Sequence, residues 1–312
     1  MGDSMPDPFV PGWHPDDEKR SRDAWFATGV MPLLKTPFEA DDTPIPKAFS
    51  LSSRLLWPRN QGPVGSCFIN AGVSAQEIST TCSVEAGENI EEHQLSRWFG
   101  WYETRLRDGL SGSRQDGGTI SGVYRAGHEV GFALEADAPY RPENRYLNQK
   151  PPAKAYESAK SSKIVAFASI GQRDRKARQK QILNGYPCNP GIWWPYGWDT
   201  ACDKYGRTTG VGSGTYGHAL VIMGWIEDWD GHFWWEYLNS HGAIYGAPPA
   251  DVQQEIIGYR PFPTKSGRQY SFWVRDDHEA AVMSKGNVEL LSASGVTGFK
   301  AKDLITRRNA MS

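Results

Sequence analysis

The chain has 312 residues, with 34 Lys and Arg against 36 Asp and Glu and a net charge of −2, which is long enough for one large domain or two packed lobes. The near balance of interspersed charges leaves no electrostatic footprint for nucleic acid or for an anionic membrane. Four cysteines, at 67, 82, 188 and 202, have neither the density nor the spacing of a disulfide-stapled secreted domain and fit a reducing compartment. The sequence leaves a Cys188–Cys202 pair open.

Residues 1–44 are proline-rich and polar, with one short helix predicted over Pro15–Ala27, and read as an N-terminal extension. The first 23 residues hold four prolines and many charges, where a signal peptide needs a basic start and an apolar core. The expectation is a chain not exported by a classical signal, residing in the cytoplasm or in a viral particle. The longest apolar stretch, Ala219–Ile226, is broken by Gly224 and too short to cross a bilayer.

Helical spacing of Cys67, Ala71, Ser74 and Ile78 predicts a helix over Ser66–Cys82, and Ile90–Leu106 supplies a second amphipathic candidate. A helical lobe is therefore expected over about 61–140. Beyond Tyr140 the pattern changes: Lys163–Ala168 is strand-like, Arg173–Gly185 helix-like, and Pro187–Gly214 a connection rich in Gly, Pro and aromatics. Strands are predicted over Ala219–Trp225, Phe233–Leu238 and Gln269–Arg275, giving a β lobe over about 141–277. The basic cluster Arg173 to Lys180 reads as a solvated face. Residues 278–312 are polar with few apolar spots, and are expected to form a C-terminal arm.

The chemistry is concentrated in three places. Cys67 opens an apolar, helix-like run, and a helix N-terminus favours thiolate over thiol. Gly65-Ser66 lets the backbone turn into that helix, and Gln61 places a side-chain amide just upstream. Far downstream, His218 heads a strand-like run and is a candidate general base, while Asn239 follows a strand and could orient the imidazole. A thiol attacks carbonyls well when a histidine takes its proton and a third group holds the other ring nitrogen. The other histidines, including His93, His128, His232 and His278, lack metal-ligand spacing, and Asp228-Trp229-Asp230-Gly231 reads as a hairpin turn. No metal or cofactor is expected.

These segments resemble the papain-like cysteine peptidases, in order and content, from about Ile45 to about Val274. Gln61 resembles the family's oxyanion-hole glutamine, Cys67 its nucleophile, His218 its base and Asn239 the residue that orients the base. Asp116-Gly117-Gly118-Thr119 resembles the segment whose backbone binds the substrate chain, which makes Gly117 and Gly118 candidate substrate-binding residues. Ala138-Pro139-Tyr140 resembles the family's following Tyr-Pro-Tyr. The resemblance implies an α+β, papain-like two-lobe fold, with an N-terminal helical lobe, a C-terminal antiparallel β lobe and the cleft between them. The catalytic domain would span 45–277, and the activity would be hydrolysis of peptide bonds in protein or peptide substrates.

This sequence departs from the family at informative places. Val64 stands where secreted members carry a cysteine, so the disulfide beside the nucleophile cannot form, and Phe68 replaces a tryptophan. His241 and Tyr245 replace the two tryptophans of the asparagine loop, the first of which shields the Asn–His hydrogen bond from water. A wetter bond orients the base less strongly. The alternative reading is a catalytically weak or inactive subunit of a larger assembly, such as a virus or phage particle, held through its N- and C-terminal arms.

Overall fold

The computed structural model describes residues 44–111, 116–195, 198, 202–208, 214–284, 288–293 and 295–300. The helix predicted over Pro15–Ala27 and most of the N-terminal extension lie outside them. The first strand, β1 (Ala48–Ser50), crosses at once to the far half of the molecule, pairing antiparallel with residues 224–226.

Helix α1 (Cys67–Glu85) then runs through the middle of the protein. Its apolar Ile69, Val73 and Ile78 are buried, but so are Asn70, Ser74 and Glu77, so an amphipathic stripe is not what places it. A helix buried on nearly all sides must satisfy its polar groups internally. The hydroxyls of Thr80 and Thr81 donate back to the carbonyls of Gln76 and Glu77. The Glu77 carboxylate accepts the Leu95 N–H at 2.7 Å and pairs with buried Arg59. Burial raises the Glu77 pKa, opposed by the Arg59 charge.

The second predicted helix begins later than its sequence suggested. Residues Ile90–Glu91 form strand β2, and α2 (Arg97–Arg107) starts only after Ser96, whose hydroxyl accepts the Phe99 N–H at 3.0 Å. Helix α3 (Ile120–Glu129) is capped in the same way by Thr119, which accepts the Gly122 N–H at 2.8 Å. Two short helices, α4 (Asn144–Leu147) and α5 (Ala153–Ala159), carry the helical lobe past the expected limit near Tyr140.

The second lobe is built on strands β3 (Phe167–Ser169), β4 (Cys188–Pro195), β5 (Gly214–Ala219), β6 (Val221–Trp229) and β7 (His232–Leu238). Helix α6 (Arg175–Leu183) lies between β3 and β4 in sequence, capped by Asp174. Helix α7 (Ala250–Glu255) and strand β8 (Ser271–Arg275) follow, then α8 (Asp276–Met283), β9 (Glu289–Ala293) and β10 (Phe299–Lys300). The sheet order is β3-β9-β4-β6-β7-β8, with β5 also on β4 and β1 on β6, and β10 pairs with β2. The β6–β7 hairpin turns through Asp228, Asp230 and Gly231 at φ of 59°, 55° and 74°, left-handed conformations that Asp and Gly tolerate.

Two expectations are corrected. The segment Pro187–Gly214 is not wholly a connection, because Cys188–Pro195 is a strand buried everywhere except at Trp193. Burial on both faces erases the alternation by which a strand is recognised. Nor do the described residues between 278 and 300 form an arm, and 301–312 of that expected arm lie outside the described residues. Helix α8 packs on β4, β7 and β8, and β9 is inserted between β3 and β4. Glu289 at the start of β9 also accepts the N–H groups of Ile120 and Ser121, both at 3.1 Å, tying the last strand to the N-terminus of α3 in the other lobe. So few apolar residues read as a tail, but Leu290, Leu291 and Ala293 are all buried there.

Helix α1 packs on β4, β5 and β6 on one side and on α2 and α3 on the other, so its N-terminus sits where the lobes meet. None of the four cysteines is disulfide-bonded. No described helix is long and apolar enough to cross a membrane.

Candidate active site

Cys67 is the first residue of α1, with its N–H at the end of the helix. Local polar contacts fix the turn that delivers it. Asn70 Nδ2 donates to the carbonyl and the hydroxyl of Ser66, each at 2.9 Å. Tyr140 O–H donates to the Gln61 carbonyl at 2.7 Å, so the 2.7 Å contact between Ser66 Oγ and Tyr140 has the serine as donor. Asp116 accepts the Gly65 N–H at 3.2 Å and also bonds Asn144, joining the loop before Cys67 to the glycine pair.

Gln61 is buried beside this turn. Its Nε2 donates to the Val64 carbonyl at 2.9 Å, and its Oε1 accepts from Ser240 Oγ at 2.7 Å. Because Val64 O can only accept, the amide orientation is determined. Gly117 adopts φ of 97° and its carbonyl accepts from Arg105 at 2.5 Å. Gly118 lies against Phe68, where a Cβ would come 2.8 Å from the ring. Both glycines are buried in this conformation.

His218 lies near the end of β5, not at the head of the strand that follows, and β5 packs on α1. Its Nε2 is 2.8 Å from Asn239 Oδ1. Asn239 Oδ1 also accepts the Ser240 backbone N–H at 2.7 Å, while its Nδ2 reaches Tyr245 O–H at 2.6 Å and His241 Nδ1 at 3.2 Å. Trp194 meets the His218 ring edge to face at 4.6 Å between centroids, and His241 lies over it at 4.7 Å with a 30° tilt. The Asn239–His218 pair is therefore dry, contrary to the expectation that losing a tryptophan at 241 would wet it.

Burial pushes the His218 pKa down to about 4, opposed by the Asn239 hydrogen bond. His241 is held well below the ordinary histidine range, by burial and then by the neighbouring His218. Both rings are neutral at pH 7. Cys67 and His218 are 0% exposed. Two supports carried no sequence reading, namely Ser240 and the hydroxyl of Tyr245, while Trp194 reads from the sequence as a pocket wall or core packing and packs on the His218 ring. Ser240 stood beside Asn239, but its tie to Gln61 depends on two loops meeting in space. Among the described residues, no group of three or more His, Cys, Asp or Glu side chains is arranged to hold a metal ion.

No protein-family model matches the sequence, and no curated protein does. Solved structures do match by shape. Xylellain, a cysteine protease from Xylella fastidiosa, superposes with a TM-score of 0.61 at 17% identity, covering 93% of this chain and 94% of that one. The Amb a 11 cysteine protease, a major ragweed pollen allergen, in its proform, gives 0.59 at 18% identity over 90% of this chain and 74% of that one. The bromelain protease from Ananas comosus, in complex with the E64 inhibitor, gives 0.55 at 15% identity over 80% and 99%. With a helical lobe, an antiparallel β lobe and the beginning of α1 between them, the chain has the α+β two-lobe fold of the papain-like cysteine proteases.

Proposed function

We propose that the protein is a cysteine peptidase that hydrolyses peptide bonds with Cys67 as nucleophile and His218 as base. The observation that carries this reading is the buried 2.8 Å contact of His218 Nε2 with Asn239 Oδ1, on a strand packed against the helix that Cys67 begins. It assigns the proton of neutral His218 to Nε2 and the basic lone pair to Nδ1.

In this reading the Cys67 thiol gives its proton to His218 Nδ1 as sulfur attacks the carbonyl carbon. The C–S bond forms and the carbonyl π pair moves to oxygen. Gln61 Nε2 and the Cys67 N–H are the donors for that oxyanion, and such a donor typically contributes about 3 kcal/mol to the transition state. Collapse breaks the C–N bond, the imidazolium protonates the leaving amine, and a thioester remains. Water, deprotonated by His218, then releases the carboxylic acid and restores the thiol. His218 is neutral at pH 7 and so has a lone pair for this proton, and the Asn239 hydrogen bond favours the cation that forms transiently against the burial that lowers its pKa. The backbone of Gly117 and Gly118 is assigned to the substrate chain.

The test is a fluorogenic peptide library assayed beside an irreversible thiol-directed epoxide. Turnover lost in Cys67→Ala, together with epoxide label mapped to Cys67, supports the assignment. Turnover that survives the substitution, or no turnover and no label in wild type, refutes it and favours a non-catalytic role for the fold.

A further inference from the structure

Asn239 receives one donor whose identity leaves no choice. The Ser240 backbone N–H can only donate, so the atom 2.7 Å away is Oδ1 and the other end of the amide is the NH2 group. That group faces the Tyr245 hydroxyl at 2.6 Å and His241 Nδ1 at 3.2 Å. An NH2 group cannot accept, so His241 Nδ1 carries a lone pair and its proton sits on Nε2. By the same logic Oδ1 takes the proton of His218 Nε2. One backbone N–H thus fixes the tautomers of two histidines.

From this chain of donors we propose that His241 is a positioning residue, which accepts from Asn239 and so holds the amide, and through it the His218 imidazole, in the tautomer that presents Nδ1 to Cys67. The catalytic half of this statement rests on the peptidase reading; the tautomer half does not. His241 combines two roles on one ring. It covers His218 at 4.7 Å, which a larger aromatic ring could also do, and it supplies an acceptor, which a hydrocarbon face could not. Protonated, it would set an N–H against the Asn239 NH2 and a charge beside His218. The surroundings oppose that state, since the groups packed on it include Trp194, the His218 ring and the Asn60 backbone.

Two measurements test the proposal. In the full-length chain labelled with 15N-histidine, two-bond 1H–15N correlations are expected to show both His218 and His241 as Nε2–H tautomers. A proton on His241 Nδ1 overturns the proposal whether or not the protein turns over peptides. The second measurement compares two substitutions in the fluorogenic assay. His241→Asn can keep an acceptor near the Nδ1 position and loses ring area, whereas His241→Phe keeps the ring and loses the acceptor. The Asn variant is expected to stay within about threefold of wild-type kcat and the Phe variant to fall about tenfold, with KM unchanged in both. The opposite order would mean that the ring acts only as a cover.

Discussion

Ser240 Oγ donates a 2.7 Å hydrogen bond to Gln61 Oε1 across 179 residues of chain, and the Gln61 N–H returns a bond to the Ser240 carbonyl at 2.8 Å. The residue after the asparagine therefore clamps the amide assigned to the oxyanion. Gln61→Ala is expected to lower kcat by about 100-fold, the loss of one oxyanion donor. Ser240→Ala should cost about fivefold, through looser placement of the same amide. Both variants should still alkylate at Cys67. Unchanged kcat in Gln61→Ala would remove Gln61 from the mechanism.

Cysteine chemistry gives a second expectation. Burial pushes the Cys188 thiol up to about 12 and the Cys82 thiol up to about 11, so neither is a ready thiolate near neutral pH. In native protein at pH 7, iodoacetamide should leave Cys82 and Cys188 unmodified. Four thiols should titrate in non-reducing denaturant, because no pair is bridged. Mass spectrometry of the alkylated peptides checks both statements.

Glu236 predicts a pH effect on stability. It is fully buried between two hydroxyls, Ser50 Oγ at 2.5 Å and Ser271 Oγ at 2.9 Å, and burial raises its pKa from 4.5 to about 7. A carboxyl raised on folding favours the folded state at low pH, and that advantage is lost as pH rises from about 4.5 through about 7. Glu236→Gln can keep both hydrogen bonds and cannot ionise. Its stability relative to wild type should grow across that window by about 3 kcal/mol and then level off. Urea melts at pH 4.5, 6 and 8 read this difference, and a constant difference would contradict it.

His218 and His241 act in the opposite direction. Their folded pKa values are depressed, His218 to about 4, so the unfolded chain takes up protons first as pH falls below about 6.5. Stability should be full above that pH and decline toward about 4. His218→Gln should flatten part of this acid loss in thermal melts of Glu236→Gln background protein.

The buried pair Arg178–Glu279, at 2.5 Å with Tyr237 O–H on the same carboxylate at 2.6 Å, locks α8 to α6 and β7. Glu279→Ala should destabilise by about 3 to 5 kcal/mol, because it leaves a buried guanidinium without its counter-charge. Deleting residues 278–312 removes this carboxylate and β9 together, and the truncated chain should fail to fold. A soluble, cooperatively melting truncation would return the segment to the status of an arm.

The helices legible in the sequence were α1, α2 and α6, each read from its run of residues, whereas α3 was not read although Thr119 caps it within three residues. The Asp-Gly turn of the β6–β7 hairpin was legible because its signal is short-range. Strand β4 and strand β9 were missed because their neighbours come from far along the chain. Pro190 and Gly191 disguise the first, and the second is only five residues long. Ser292 of β9 sits in a buried sheet because Pro187 O takes its hydroxyl at 2.9 Å and Gln181 reaches it at 2.9 Å.

Residue chemistry by itself named Gln61, Cys67, His218 and Asn239, since thiol, imidazole and amide are side-chain properties that a helix start or a strand end can be seen to present. Only the tertiary structure decided how Asn239 is oriented, that Trp194 and His241 dry the imidazole, and that β9 of the polar C-terminal segment is inserted in the sheet. Hydrogen-bond direction, desolvation and strand insertion are all set by groups brought together from distant parts of the chain, and no local pattern encodes them.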